Sequence, residues 1–259
     1  MNSPTGREGL ILGLASGKGG VGKTVVAIGL AQALAGTGRR VLLADGDLGL
    51  ANVDVQLGLT PPRDLADVLA GEVPLREAAL RHAGGFHVLA GRSGSGALAS
   101  LGEPWLDRFV ALLGEATRDF DIVVLDIGAG VETPSRRLAA ACDTLLVVAN
   151  DEPTSLTDAY AMLKLHGRDA PGADARIVVN AAADLAAGRR THAVLDRTCR
   201  GFLGRGVPLA GVVRRDAKVR DAVRAQVPVL TRHPAAPAAQ DLEALARQLF
   251  ATAPHPAVA

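Results

Sequence analysis

The sequence has few aromatic residues, few cysteines and no long hydrophobic run. Phe, Trp and Tyr make up 3% of its 259 residues, so its core must consist of Leu, Val, Ala and Ile. Two cysteines without a Cys-x-x-Cys spacing exclude a disulfide framework and are typical of a reduced cytoplasmic protein. No apolar run approaches the roughly 18 residues of a membrane span. A formal net charge of +1 gives no global attraction to nucleic acid or anionic lipid.

The ends of the sequence differ in composition from its middle. Residues 1–8 are polar and lack the apolar core of a signal peptide, so they predict a flexible N-terminus. The length suits a single α/β domain, which we place at residues 9–251. Residues 252–259 predict a disordered tail. Residues 91–96 are expected to form a surface loop, and 232–239 an extended connector.

Short apolar runs alternate with helix-length segments along the whole chain. Continuous runs of this kind indicate strands that are covered on both faces, as in a parallel sheet. The alternation predicts a doubly wound, mostly parallel α/β sheet with helices on both faces. Strands are predicted at 10–15, 41–44, 86–89, 122–125, 144–149, 176–179 and 209–213, and helices at 25–35, 104–118, 134–141, 154–168, 188–203, 216–225 and 240–251.

Lysine is rare, and two of the four lysines lie in one loop. The chain has 24 Arg but only 4 Lys, and Lys18 and Lys23 both fall in the sequence GKGGVGKT at residues 17–24. This fits G-x-x-x-x-G-K-[ST], in which glycine backbone N–H groups and the following helix N-terminus hold phosphates. A strand before and a helix after favour this interpretation over a glycine-rich turn. The predicted phosphate-binding residues are Gly17, Lys18, Gly19, Gly20, Val21, Gly22, Lys23 and Thr24.

Acidic residues follow two of the predicted strands. Asp45 and Asp47 come after the run 41–44, and Asp126 follows the run 122–125. Phosphoryl transfer needs Mg²⁺ and a positioned water. We therefore predict that Thr24 and Asp126 serve the metal, with one of Asp45 and Asp47 facing the metal and the other the attacking water. The alternative for each aspartate alone is a helix cap or a turn residue.

The loop with its early lysine resembles the deviant phosphate loop of the MinD/ParA class of P-loop ATPases. The resemblance implies ATP and Mg²⁺ as cofactors and an ATP-sandwich homodimer, in which Lys18 reaches the partner's nucleotide while Lys23 serves its own. By the same resemblance, Asp47 orients the attacking water, which leaves Asp45 as the aspartate of this pair that faces the metal. Asn180 would contact adenine, and Asp216 lies in the segment that matches the last nucleotide-side segment of the class.

Two further segments are similar to the FlhG/FleN flagellar-number regulators. They are DGDLGLANVDVQLGL at 45–59 and EPTSLTDAY at 152–160, and the resemblance covers roughly residues 9–250. It implies a slow, partner-stimulated ATPase that controls flagellar number or placement through a FleQ-like transcription activator and an FlhF-like GTPase. The chain departs from the family at residues 1–9, which lack an Asp-Gln-Ala motif for GTPase stimulation, and at Arg214, where proline is usual.

Other functions remain open on the sequence alone. A partition or division-site positioning ATPase would share the chemistry, and a nucleotide-gated scaffold would bind ATP with negligible hydrolysis. We expect no nucleic-acid partner, because paired arginines such as Arg189 and Arg190 are typical of a solvated face. Cys142 and Cys199 are expected to be buried small hydrophobes rather than cluster ligands.

The last predicted helix carries an apolar stripe. Its residues are Leu242, Leu245, Ala246, Leu249 and Phe250, and the opposite face offers too few cations for a strong interfacial helix. A helix packed on the core is the favoured interpretation. Weak ATP-dependent contact of a dimer with the inner face of the cell membrane is the alternative.

Overall fold

An eight-stranded sheet forms the centre of the computed structural model, which describes residues 9–47, 51–91 and 102–250. The strand order is β3-β4-β2-β5-β1-β6-β7-β8, and only the pair β3–β4 is antiparallel. The predicted doubly wound, mostly parallel α/β fold is confirmed. The strands are β1 (Leu10–Ala15), β2 (Val41–Gly46), β3 (Leu80–Arg81), β4 (His87–Leu89), β5 (Ile122–Ile127), β6 (Thr144–Ala149), β7 (Asp174–Ala182) and β8 (Leu209–Arg214).

Helices cover both faces of this sheet. They are α1 (Lys23–Ala35), α2 (Val53–Leu57), α3 (Leu65–Ala70), α4 (Leu75–Ala78), α5 (Gly102–Asp119), α6 (Thr133–Ala140), α7 (Pro153–Asp169), α8 (Leu185–Leu203), α9 (Ala217–Arg224), α10 (Val229–Arg232) and α11 (Pro237–Phe250). One core cluster joins the sheet to α1, α2, α9, α10 and α11, and a second joins it to α3–α8. Because both faces of the sheet are covered by helices, successive residues of a central strand such as β5 are all buried, which explains the continuous apolar runs of the sequence.

Side chains alternate between these two clusters along the central strand β5. Ile122 and Val124 face the α1 side, while Val123 and Leu125 face the other side. The next position is Asp126, which the alternation of a strand turns to the α1 side. The fold thus points this carboxylate at the helix that follows the glycine loop.

Four strands extend beyond the runs that predicted them. β2 continues to Gly46, β5 to Ile127, β7 to Ala182 and β8 to Arg214. Asp45 and Asp126 therefore lie within strands rather than after them, and they are register partners in the β2–β5 ladder. The hydrophobic runs of β2 and β5 stop before these two aspartates, but the backbone hydrogen bonds between the strands continue past them.

The C-terminal helix packs on the core. α11 begins at Pro237, and proline suits the first turn of a helix. Since α10 ends at Arg232, the expected connector 232–239 is shortened to residues 233–236. Most of the apolar stripe, from Leu242 to Leu249, is buried against α1 and β8. The side chain of Phe250 lies under the Arg39 guanidinium, 4.5 Å from the ring centre. The stripe therefore faces protein, as the favoured interpretation expected.

Several expectations lie outside the described residues. They concern the N-terminus 1–8, residues 48–50 of the acidic segment, most of the loop 91–96 and the tail 252–259. Within the described ranges, no helix is long and apolar enough to cross a membrane. Cys142 and Cys199 are buried free thiols, as expected.

Candidate nucleotide-binding site

Glycines shape the loop between β1 and α1. Gly20 and Gly22 have φ of 81° and 85°, in the left-handed region that favours glycine. A Cβ on Gly17 would lie 2.2 Å from the carbonyl oxygen of Asp158, whereas a Cβ on Gly19 or Gly20 would meet nothing within 4 Å. The loop is therefore packed against α7 at its start and open at its tip, where an anion can approach backbone N–H groups.

Lys23 and Thr24 begin α1 and converge on Asp126. The Lys23 Nζ lies 2.5 Å from Asp126 Oδ1, with only 8% and 2% of the two side chains exposed. The Thr24 hydroxyl donates to Asp126 Oδ2 at 2.7 Å. Because a buried charge requires a partner, Asp126 serves here as the counter-ion of Lys23. A phosphate group could replace it and release Asp126 for a hydrated cation.

Asp45 lies beside Asp126 on the neighbouring strand. Its carboxylate accepts backbone N–H groups of Asp47, Asn52 and Val53, each at 3.0 Å. Burial, followed by the charge of Asp126, raises the pKa of Asp45 to about 7 even though these hydrogen bonds lower it. Asp45 thus anchors the start of α2 and contributes to a carboxylate pair that a cation would stabilise.

Asp47 follows β2 and approaches the segment after β5. A Cβ built on Gly128 would lie 3.4 Å from the carboxyl carbon of Asp47. In the same segment, the Gly130 N–H donates to the Ser16 carbonyl at 2.9 Å. The two aspartates of the acidic segment therefore differ in environment: Asp45 is 1% exposed, while Asp47 is half-buried near the second acidic segment.

Lys18 has different partners from Lys23. Its Nζ donates to Glu152 Oε2 at 2.6 Å and to Thr154 Oγ1 at 3.0 Å, both at the start of α7. Its hydrogen bond holds the pKa of Glu152 below the usual range. The Lys18 side chain is 37% exposed. Sequence reasoning found Glu152 only through a resemblance and missed this contact, since no spacing rule links residues 134 positions apart.

Asn180 joins the loop to a neighbouring pocket, which we call the base pocket. The Asn180 Nδ2 donates to the Val21 carbonyl at 2.7 Å. The base pocket has a volume of about 550 Å³, within the range of small-molecule sites. Its apolar walls are Val25, Val26, Val213, Val219 and Leu242, and Asn180, Arg215, Asp216 and Arg220 add polar atoms.

Asp216 lines the base pocket but is already engaged with the backbone. One carboxylate oxygen accepts the Lys218 N–H at 2.9 Å and caps α9, and the other accepts the Ala238 N–H at 3.4 Å. Cap residues of this kind hold helix ends in place. Direct contact of Asp216 with a nucleotide stays a prediction.

The acidic residues fit a magnesium ion that keeps much of its water. Among the described residues, no three His, Cys, Asp or Glu side chains cluster as a metal centre. Mg²⁺ is usually held by one or two carboxylates together with phosphates and waters. The Thr24 hydroxyl with Asp126 and Asp45 matches this pattern.

Comparison with known proteins agrees with this geometry. The profile of the CobQ/CobB/MinD/ParA nucleotide binding domain matches residues 12–229. The chain belongs to this family. It is 38% identical to the antiactivator FleN of Pseudomonas aeruginosa over 239 residues, which cover 92% of this chain and 85% of that protein. The resemblance to the MinD/ParA class and to the FlhG/FleN regulators is thus confirmed.

Two further relatives support the same assignment. The flagellum site-determining protein YlxH of Helicobacter pylori is 32% identical over 182 residues, covering 70% of this chain and 61% of that protein. The crystal structure of the cell division ATPase MinD from Pyrococcus furiosus superposes with a TM-score of 0.81 at 26% identity, covering 95% of this chain and 100% of that one. The fold is therefore that of MinD-type P-loop proteins.

Proposed function

We propose that this chain is a Mg²⁺-dependent ATPase switch that forms an ATP-bridged homodimer and regulates flagellar number or placement and flagellar gene expression by binding partner proteins. The contrast between its two loop lysines carries the proposal. Lys23 is buried against Asp126, while Lys18 is partly exposed and held by Glu152 and Thr154 of its own chain. A buried lysine is suited to its own nucleotide, and an exposed one can reach the nucleotide of a second chain.

In this proposal, each polar residue has one task in ATP hydrolysis. Lys23, and Lys18 from the partner chain, stabilise the charge that develops on the transferred phosphoryl group. Thr24, Asp126 and Asp45 hold the magnesium ion, which supplies charge neutralisation when bound. Asp47 orients the attacking water. Asn180 and the walls of the base pocket fix the adenine.

The flagellar part of the proposed function is inferred from the similar proteins FleN and YlxH. The names antiactivator FleN and flagellum site-determining protein YlxH support a role in flagellar gene expression and placement. We therefore propose a FleQ-like transcription activator and an FlhF-like GTPase as partners, slow turnover that a partner stimulates, and weak peripheral membrane contact in the ATP-bound dimer. The similarity to a cell division MinD structure favours division-site positioning as the second candidate.

An Asp47→Ala variant tests the catalytic part. With Mg²⁺ and ATP, the parental protein should release phosphate and dimerise. The variant should still dimerise while its phosphate release falls by about a hundredfold or more, because the attacking water loses its orienting carboxylate. Phosphate release and light scattering measure the two properties. The control is Asp119→Ala, which removes a surface carboxylate paired with Arg76 before the amino end of β5, away from the loop.

The outcomes separate the candidate functions. Parental phosphate release from Asp47→Ala would show that this carboxylate does not orient the water. ATP-dependent dimers without phosphate release from either protein would favour a nucleotide-gated scaffold. Binding of the purified protein to a FleQ-like activator, or instead to a division-site partner, distinguishes the flagellar output from division-site positioning.

A further inference from the structure

An ion pair ties the end of β8 to the last helix of the fold. The Arg214 guanidinium donates to both carboxylate oxygens of Asp241 at 2.8 Å, and the Arg214 backbone N–H donates to one of them at 2.9 Å. The side chain of Asp241 is 7% exposed and that of Arg214 is 30% exposed. Bidentate pairs of this type fix orientation as well as distance.

The same segment holds the beginning of α11. Arg214 also donates to the carbonyl oxygen of Pro237 at 3.3 Å, and Asp216 accepts the N–H of Ala238. Arg214 and Asp216 both line the base pocket. The first turn of α11 is therefore attached to the rim of this pocket rather than to a remote part of the surface.

The residue next to Asp241 forms a wall of the base pocket. Leu242 is 1% exposed and lines the pocket from α11. It also packs on α1, where a Cβ on Gly29 would lie 2.5 Å from Leu242 Cδ1. The position of this wall therefore depends on how α11 is seated, and the Arg214–Asp241 pair is the ion pair that adds to the apolar packing of α11 on α1 and β8.

We propose that Arg214 and Asp241 are positioning residues that fix α11 as the wall of the base pocket, so that affinity for the nucleoside part of ATP depends on this pair. The proposal rests on the proposed function, because it takes the base pocket as the site of adenine. Binding of the phosphate groups of ATP depends on other contacts, since Lys23 and Thr24 are held by Asp126 on β5.

The test compares ATP with inorganic triphosphate, which lacks a base and a ribose. Asp241→Asn and Arg214→Lys each weaken the bidentate pair while keeping side-chain size. Calorimetric titration should show about tenfold weaker binding of ATP by both variants, with triphosphate affinity within about twofold of parental. Hydrogen exchange of α11 should slow when ATP is added to the parental protein, but not when triphosphate is added.

Asp169→Asn is the matched control. It breaks a bidentate Arg136–Asp169 pair, with distances of 2.7 Å and 2.6 Å, between α6 and α7. ATP affinity of this control should stay at the parental value. Parental ATP affinity in both test variants overturns the inference, as does an equal loss of ATP and triphosphate affinity, which would mark a general structural role. If the parental protein binds no ATP, the proposed function fails instead.

Discussion

Asp45 is a buried carboxylate whose pKa is raised to about 7 by burial and by the neighbouring charge of Asp126. In the unfolded chain, the same group ionises near its ordinary value of 3.8. Between about pH 4 and pH 7 the folded protein thus keeps a proton that the unfolded chain has released. The contribution of Asp45 to the free energy of unfolding must then fall as pH rises through this window, by at most about 1.4 kcal/mol per pH unit.

Asp45→Asn should remove this pH dependence. Other carboxylates, such as Asp221 with its pKa lowered to about 2, act in the opposite direction, so the informative quantity is the difference between the two proteins. Urea titrations in a metal chelator, without nucleotide, should show the parental protein losing stability relative to Asp45→Asn from pH 4 to pH 7. A difference that does not change with pH would contradict the raised pKa.

Ala181 carries backbone strain next to the predicted adenine contact. Its φ is 54°, and it is one of two non-glycine residues with positive φ in the described part of the chain. It follows Asn180 where the register between β7 and β8 shifts. Because glycine adopts this conformation without steric cost, Ala181→Gly should leave stability unchanged or raise it by up to about 1 kcal/mol.

The same substitution at a helical site provides the comparison. Ala193 is exposed within α8, where glycine should cost about 1 kcal/mol relative to alanine. In urea unfolding, Ala193→Gly should therefore lose stability, whereas Ala181→Gly should not. An equal loss of stability in both variants would show that Ala181 is not strained.

At the scale of elements, the long strands and helices were predictable because their apolar residues form continuous runs or stripes. β1 and β6 have the predicted bounds. The bounds of β2 and β5 were wrong at their carboxyl ends, since Asp45 and Asp126 interrupt the hydrophobic run but continue the backbone ladder. At these two strand ends, the backbone pairing continues after the hydrophobic run has stopped.

The short helices could not be predicted in the same way. α2, α3, α4 and α10 have four to six residues each. Isolated helices of this length are unstable, so tertiary contacts must hold them. The start of α2, for example, depends on the carboxylate of Asp45, which accepts the Asn52 and Val53 N–H groups. No pattern in the local sequence predicts such a contact.

Across the whole molecule, the sheet order explains which parts of the site were predictable. β1 lies between β5 and β6, so the loop that follows it meets Asp126 on one side and Glu152 on the other. The phosphate-loop motif predicts Lys23 and Thr24, and the acidic residue after the apolar run 122–125 predicts Asp126. The Lys18–Glu152 contact depends on the neighbouring β6–α7 connection, and only the assembled sheet reveals it.

The proposed dimer requires Lys18 to exchange one partner for another. In a single chain it donates to Glu152 and Thr154, and in the dimer it would contact the triphosphate of the second chain. Lys18→Ala should therefore bind ATP but form no dimers. Glu152→Gln should instead dimerise at about two- to fivefold lower protein concentration, because an exposed ion pair that opposes dimerisation is weakened. Light scattering with ATP measures both effects.

Asp151→Asn provides the control, since it neutralises the adjacent exposed carboxylate, which makes no ion pair in the described structure. If general surface charge governs dimerisation, this variant should behave like Glu152→Gln. If the specific contact with Lys18 governs it, only Glu152→Gln should shift the dimer midpoint, and added salt should reduce that shift. ATP-dependent dimers of Lys18→Ala would contradict the exchange, because nothing would then link the early lysine to the second chain.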